Sequence, residues 1–509
     1  MTSATSSSRP IRFFHDGQIV QVDDQPVTRT VLDWLREYRH KTGTKEGCNE
    51  GDCGACTVVL GELDADGQLQ LLNVNACIQL LPTLDSKALF TVEDVNRLGK
   101  NSEPHPVQQA LLDCHGSQCG FCTPGIVMTL WHSYEEHQQA GTQPSRQQLA
   151  DDLSGNLCRC TGYRPILDAG EQMFEHPAMP LDRAAVVQAL QTLQQDSTLD
   201  YHHTDDSGEA LAGRFLAPRS LDELAALYAQ HPQARILAGS TDIGLWITKQ
   251  FRELDTLIHV GRVPEMQAIE TRDDTLWIGA GASLEHAWQA LVQKAPSLQD
   301  VWLRFASRPI RHAGTLGGNV ANGSPIGDGA PILMALDARV QLRRGPEVRE
   351  LPLQDLYLDY MKNAMQEGEF VQAIIVPLAA FARQLRGYKI SKRFDCDISA
   401  VCAGLAIELD GDIVRSVRLA FGGMAATVKR AAAAEAAILG QEWTEDTVRA
   451  AQQALLQDFT PLTDMRASAE YRMQVSQNLL QRLWLETRAD AALDISQTQV
   501  FSLMQHAPA

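Results

Sequence analysis

The 509 residues contain no apolar run approaching the ~20 that a membrane-spanning helix needs, so integral membrane classes are not expected. Positive charge is sparse: 44 Lys and Arg stand against 63 Asp and Glu, a net charge of −19. That balance opposes nonspecific nucleic-acid binding, which requires basic patches to neutralise phosphates, and favours solubility. Met1 to Pro10 lacks the apolar segment of a secretory leader, which leads us to expect a reducing, cytoplasmic setting without disulfides. No Walker sequence is present. Leu276 to Leu284 only begins like a dinucleotide fingerprint, because Leu284 stands where the third glycine belongs. Neither nucleotide hydrolysis nor a Rossmann domain is therefore expected.

Cysteine is also scarce over most of the chain: only Cys396 and Cys402 lie beyond residue 160, while nine of the eleven fall within the first 160 residues. Eight of those nine form two sets. Cys48, Cys53, Cys56 and Cys77 have the Cys-x4-Cys-x2-Cys spacing, with a distant fourth thiolate, of a plant-ferredoxin [2Fe–2S] centre. Cys119, Cys122, Cys158 and Cys160 pair a Cys-x2-Cys with a Cys-x-Cys. Gly47, Gly51 and Gly54 around the first set permit left-handed backbone and close approach of amides, which tune a cluster's potential. Pro124 predicts a helix starting beside Cys122, where exposed amides favour thiolate. Four thiolates also satisfy tetrahedral zinc, but the first spacing follows iron–sulfur ligation rather than paired zinc knuckles. Cys114 fits neither set and reads as a small buried hydrophobe. Two one-electron centres on one chain imply that electrons pass along it.

The pattern divides the chain. Residues 9–92 alternate as strands around a helix capped by Thr30 and Asp33, with a hairpin at Asp16-Gly17, and read as a β-grasp domain. Residues 93–176 turn helical, with a cysteine pair at each of two helix junctions, and 177–212 read as a linker around a short helix. The adjacent His202 and His203 lack a nearby third metal ligand and read as a solvated loop. From 213 to 380 the chain is mixed α/β and carries two glycine-hydroxyl loops. They are Ile236-Leu237-Ala238-Gly239-Ser240-Thr241-Asp242-Ile243 and Thr315-Leu316-Gly317-Gly318-Asn319, and runs of small residues of this kind form anion-binding nests for a diphosphate. Residues 381–490 read as strands with closing helices, and 491–509 as a tail.

In this order the segments Glu46 to Thr57, Gln118 to Gly125 and Gly155 to Ile166, with the two loops, resemble the small subunits of the xanthine dehydrogenase branch of the molybdenum hydroxylase family. The resemblance covers roughly residues 10 to 490. It implies a multidomain α+β chain: a β-grasp [2Fe–2S] domain, a four-helix [2Fe–2S] domain, a two-lobed vanillyl-alcohol-oxidase-type FAD domain and a small α+β C-terminal domain. It further implies that the eight cysteines hold two clusters, that the two loops hold the FAD diphosphate, and that Phe305, Ser324, Asp328 and Lys389 line the flavin pocket. Lys392 to Ser399 resembles the loop controlling nicotinamide access, with Cys396 where relatives often carry an acid, so either Asp395 or Asp397 faces the cofactor. The chain shows no molybdopterin-binding sequence. The resemblance therefore implies a large molybdopterin-binding partner, two of each subunit together, passing electrons from hypoxanthine or xanthine to NAD⁺. Relatives that act on aldehydes, carbon monoxide or aromatic thioesters, and a zinc-binding protein without redox function, are the alternatives.

Overall fold

The computed structural model describes residues 8–98, 103–203 and 213–499. They fall into two compact units, one made of residues up to Glu265 with Ala306–Thr315, the other of Met266–Phe305 with residues from Leu316 onward.

In the first unit Ile11–His15 and Gln18–Val22 form the expected hairpin, and both turn residues, Asp16 and Gly17, have the positive φ (56° and 74°) of a type I′ turn. The sheet runs Gln18–Val22, Ile11–His15, Ala88–Phe90, Thr57–Leu63, Leu69–Asn75. Thr30 accepts the Asp33 amide and donates to its carboxylate at 2.7 Å, starting the turn Val31–Asp33 that widens into π-helical Trp34–Tyr38. Val31, Leu32, Trp34 and Leu35 thereby bury against Ile11 and Phe13, each full burial contributing about 1.5–3 kcal/mol. The strand Ala88–Phe90 ends there because Asp94 accepts from the Thr91 amide at 2.7 Å and opens the helix Val92–Leu98.

Four helices follow: Pro106–Asp113, Thr123–Ala140, Arg146–Asp152 and Arg164–Gln172. Their starts are written locally, in the His105/Gln108 and Ser145/Gln148 capping boxes and in Pro106, Pro124 and Pro165 in first turns. Leu111, Leu130, Trp131, Leu149 and Ile166 close a common core that the helix Arg183–Gln194 joins through Val186, Leu190 and Leu193.

The stretch read as a linker is ordered structure over most of its described part. Leu199–Tyr201 is a strand paired with Arg214–Ala217, Arg214 holds Asp200, and the wholly buried Tyr201 hydroxyl donates to the Gln25 carbonyl. A three-residue strand is too short to show a period, which is why it reads as loop. His202 follows this strand and His203 sits 3.4 Å from the Asp23 carbonyl; Thr204 to Ser207 lie outside the described residues. The sheet runs Leu199–Tyr201, Arg214–Ala217, Thr256–His259, Arg235–Leu237, the last three parallel.

In the second unit one antiparallel sheet runs Ile269–Arg272, Thr275–Gly279, Phe370–Pro377, Arg339–Arg344, Glu347–Pro352. The incomplete fingerprint lies here, on an antiparallel strand followed by a Ser283-capped helix, and so is not a Rossmann unit. A second sheet, Gln384–Ile390, Val401–Asp410, Ile413–Gly422, Lys429–Arg430, buries its apolar face under Ala432–Ile438, Glu445–Asp458 and Ala469–Thr487. Among the described residues no helix is long and apolar enough to cross a membrane.

Candidate functional site

The first cysteine set occupies the loop before strand Thr57–Leu63, and Cys77 follows strand Leu69–Asn75. Asn49, Gly51 and Gly54 carry positive φ and curl this loop so that sulfurs converge: Cys48 lies within hydrogen-bonding reach of Cys53 and Cys77, and Cys56 of Cys77. The amides of Asp52 and Cys53 donate to Cys48 Sγ at 3.3 and 3.4 Å, and Asn75 Nδ2 to Cys56 Sγ at 3.8 Å. Donation by Cys53 and Cys77 holds Cys48 far toward thiolate, and the Cys77 thiol does the same for Cys56, while the donors are pushed up. Thiolate is the form that ligates metal.

In the second set Cys122 caps the helix Thr123–Ala140, as Pro124 predicts, and Cys158 and Cys160 lie just before Arg164–Gln172. The sulfurs meet in two pairs, Cys119 with Cys160 and Cys122 with Cys158. The Phe121 amide, then Cys160, pulls Cys119 down, and burial, then Cys158, pushes Cys122 up to about 12. Burial is the largest influence on Cys158 and opposes its ionisation, but the hydrogen bonds from the Thr161 hydroxyl at 3.2 Å, the Thr161 and Cys160 main chain and the Cys122 thiol together hold it below its usual value. Cys119 and Cys160 are exposed. Cys114 is not the buried hydrophobe expected: it is half-buried and its thiol donates to Gln172 Oε1 at 2.7 Å, outside both sets.

The two sets are joined backbone to backbone. Leu157 N donates to the Cys53 carbonyl at 3.0 Å, and buried Asn156 donates to the Gly54 carbonyl at 3.1 Å and to Thr57 Oγ1 at 3.2 Å while accepting from Thr129 at 2.7 Å. A Cβ on Gly54 would stand 2.2 Å from the Gly155 carbonyl, and one on Gly125 2.1 Å from the Gly54 carbonyl, so only glycine fits either place. Nothing in the sequence marks Asn156, which precedes the Cys-x-Cys and forms these bonds only across the fold.

Ile236 and Leu237 end the strand Arg235–Leu237, Ala238 to Thr241 turn, and Asp242 opens the helix Ile243–Thr248. Gly239 lies so close to Ala313 that an added Cβ would be 1.6 Å from its carbonyl oxygen. Ser240 has φ 64°, and its buried hydroxyl makes no hydrogen bond within the chain. Burial raises the Asp242 carboxyl. Beyond the turn, Gly244 packs on Ile78, with 2.8 Å from an added Cβ to its carbonyl, and Lys249 donates to the Cys48 carbonyl. The segment that follows the loop thus touches Cys48 of the first set and Ile78 beside Cys77.

Thr315 is the last residue of the first unit, and Leu316, Gly317, Gly318 and Asn319 begin the helix Leu316–Asn322 of the second. Leu316 and Gly317 amides donate to the Ala282 and Ala280 carbonyls at 3.0 and 2.9 Å. Asn319 Oδ1 is buried without a hydrogen bond, and Ser324 accepts the Ile326 amide at 3.4 Å. Asp328 and Lys389 come together in a buried ion pair of 2.6 Å, and Lys389 also donates to Ser399 at 2.8 Å. Asp328 Oδ1 stays without a partner, a buried acceptor beside a buried cation. Phe305 is buried against Trp288, ring centroids 5.6 Å apart. Asp397 is turned onto its own loop, accepting from the Arg393 and Ile398 amides at 2.8 and 3.0 Å, while Asp395 is exposed. Arg304, unmarked in the sequence, fastens this loop: it donates to the Lys389, Phe394 and Ser391 oxygens at 2.8, 3.0 and 3.1 Å and stacks 4.4 Å from the Phe394 ring. Replacing Lys389 by Met should destabilise the chain by about 3–5 kcal/mol in urea unfolding, because Asp328 is left charged and unpaired. Lys389→Met with Asp328→Leu should recover most of that loss; equal destabilisation of the single and double variants would rule out the ion pair as its cause.

Four stretches of the chain match family models: residues 13–80 a 2Fe-2S iron-sulfur cluster binding domain, 91–171 a [2Fe-2S] binding domain, 210–379 the FAD binding domain in molybdopterin dehydrogenase, and 386–487 the CO dehydrogenase flavoprotein C-terminal domain. The chain belongs to the molybdenum hydroxylase family of oxidoreductases, as an iron–sulfur and flavoprotein chain with two 2Fe-2S domains and an FAD-binding domain. Within that family it is similar to xanthine dehydrogenase of Emericella nidulans, 31% identical over 503 residues, covering 88% of this chain and 36% of the relative. It is also similar to aldehyde oxidase 4 of Cavia porcellus, 28% identical over 543 residues, covering 96% of this chain and 40% of the relative. The chain therefore spans well under half the length of these relatives. A carbon monoxide dehydrogenase structure from Hydrogenophaga pseudoflava aligns with 53% of this chain and 94% of its own at 28% identity and a TM-score of 0.50.

Proposed function

We propose that the chain is the electron-transfer subunit of a xanthine dehydrogenase. In this reading Cys48, Cys53, Cys56 and Cys77 hold one [2Fe–2S] cluster, Cys119, Cys122, Cys158 and Cys160 the other, and a large partner subunit carries the molybdopterin. The observation that carries it is the series of contacts from the second cysteine set through Leu157 and Cys53 to the first, and from Ile78 and Cys48 to Gly244 and the Lys249 side chain on the segment that follows the Gly239 loop. When bound, the clusters relay single electrons and the flavin pairs them for delivery as hydride to NAD⁺.

The residues present fit those groups. In each set two thiols, Cys48 and Cys56 in the first and Cys119 and Cys158 in the second, are polarised toward thiolate by their neighbours, and the unpaired buried Ser240 hydroxyl stands in a turn of small residues, as a diphosphate requires. Thr315 to Asn319 supply the second strip, with Ser324, Asp328, Lys389 and Phe305 on the flavin and the Lys392 to Ser399 loop, holding Asp395 and Asp397, on the nicotinamide side. The exposure of Cys119 and Cys160 supports the second set as the point where electrons enter from a partner, and we expect two copies of each subunit.

The isolated chain should oxidise NADH with an artificial acceptor but leave xanthine untouched, and adding the molybdopterin subunit should restore xanthine-to-NAD⁺ turnover. Cys119→Ser should abolish that turnover and spare NADH-to-dye activity. Xanthine oxidation by the chain alone, or loss of NADH oxidation in Cys119→Ser with FAD bound, overturns the order. A reconstituted pair that hydroxylates an aldehyde, carbon monoxide or an aromatic acyl thioester instead of a purine reassigns the substrate.

A further inference from the structure

The helix Arg308–Ala313 has six residues, too few to persist without docking. It and the preceding Ser307 lie against all three loops described in the first unit. An added Cβ on Gly155, before Cys158, would stand 2.5 Å from Ser307 Cβ, and one on Gly51, between Cys48 and Cys53, 3.1 Å from Ile310 Cδ1. Gly239 meets Ala313, as above. A shift of this helix therefore moves the packing of both cysteine loops and of the Gly239 loop together.

What holds the helix is polar and largely buried. Arg308 donates to both Glu136 oxygens at 2.8 Å and to Asp152 at 2.6 Å. His312 points inward, and its Nδ1 lies 2.7 Å from Asn73 Oδ1 and 3.2 Å from the Asn73 carbonyl. Both partners accept, which puts the proton on Nδ1. Its ring centroid is 5.3 Å from that of His132, itself buried, with Nε2 2.8 Å from the Leu71 carbonyl and Nδ1 3.5 Å from Glu136.

We propose that His312 is a positioning residue: its bond to Asn73 locks the Arg308–Ala313 helix, and the helix fixes the relative placement of the two cysteine loops and the Gly239 loop. The inference rests on the reading of those loops as redox-centre loops given above. Protonation would add a proton at Nε2 and leave the Nδ1 bond in place, so it is the buried site beside Arg308 and Arg311, not the bond itself, that requires a neutral imidazole. Burial is the first cause that keeps His312 neutral, and the groups facing it reinforce this: Arg308 and Arg311 from its own helix and His132 from Thr123–Ala140. Strand Leu69–Asn75 offers only the uncharged Asn73, while Glu136 and Asp152 are engaged by Arg308. An imidazole whose folded-state pKa lies below its unfolded 6.5 takes its proton more readily once released. Docking is therefore complete above that value and weakens as pH falls below it.

Hydrogen exchange on the full chain, with iron and FAD assayed in parallel, tests this. At about pH 7.5 the His312→Ala chain should exchange amides of 307–314 and of the three loops about tenfold faster than the parent, because a buried partner is left unsatisfied. With iron and FAD contents unchanged, one electron given by a viologen radical to the second centre should reach the flavin about tenfold more slowly, each donor being oxidised as its neighbour is reduced. His312→Asn sets an amide nitrogen near the Nδ1 position and cannot be protonated. It should match the parent at about pH 7.5 and lack the parent's loosening at about pH 5.5. Parental exchange in His312→Ala, or loosening with an unchanged transfer rate, overturns the proposal. If His312→Ala does not accumulate, acid loosening retained by His312→Asn overturns it. A parent chain lacking iron or FAD refutes the reading of the loops instead, since the exchange measurement needs neither.

Discussion

A Cys53→Ser chain is expected to keep about half of the roughly four irons and four labile sulfides expected of the parent, and to lose one of two expected reduced paramagnetic signals. Cys122→Ser should lose the other signal, and Cys114→Ser neither. The expectation follows from the grouping of the sulfurs: Cys53 meets Cys48 and Cys122 meets Cys158, whereas Cys114 is turned to Gln172. Serine at either position removes a soft thiolate that an iron requires. Because Leu157 N bonds the Cys53 main-chain oxygen and not its side chain, the second set should keep its place when Cys53 is changed. Iron and sulfide assay with low-temperature electron paramagnetic resonance decides the matter, and disappearance of a signal in Cys114→Ser would overturn the ligand sets.

Gly239→Val is expected to empty the chain of FAD while both paramagnetic signals persist. Sequence alone argues glycine here from the approach of backbone to phosphate. The fold adds a stronger reason, since the position of a Cβ lies 1.6 Å from the Ala313 carbonyl, a backbone atom that cannot swing aside. Valine therefore displaces either the loop or the segment leading into Thr315. Gly317→Val should do the same from the second strip, where a Cβ would stand 2.3 Å from that of Ala280. Flavin absorbance and cofactor released on denaturation measure the loss. Full FAD occupancy in both variants would remove the two loops from the diphosphate site.

The sequence by itself determined what is local. Cysteine spacing names two ligand sets, Asp16-Gly17 a hairpin, and Pro106, Pro124, Pro165 and the capping boxes the helix starts, because turns, caps and chelate loops depend on neighbours a few residues away. The resemblance added Asp328 and Lys389, which the fold does pair. Only the tertiary structure decided the rest. The strand Leu199–Tyr201 exists because distant strands and Gln25 receive it, not because of any period in its own residues. Asn156, Arg304 and His312 are ordinary residues until residues about a hundred or more positions away in several cases, Gly54, Lys389 and Asn73 among their partners, come within hydrogen-bonding distance. A hydrogen bond across such a separation has no signature in spacing, since loop closure and packing, not local conformational preference, bring its ends together.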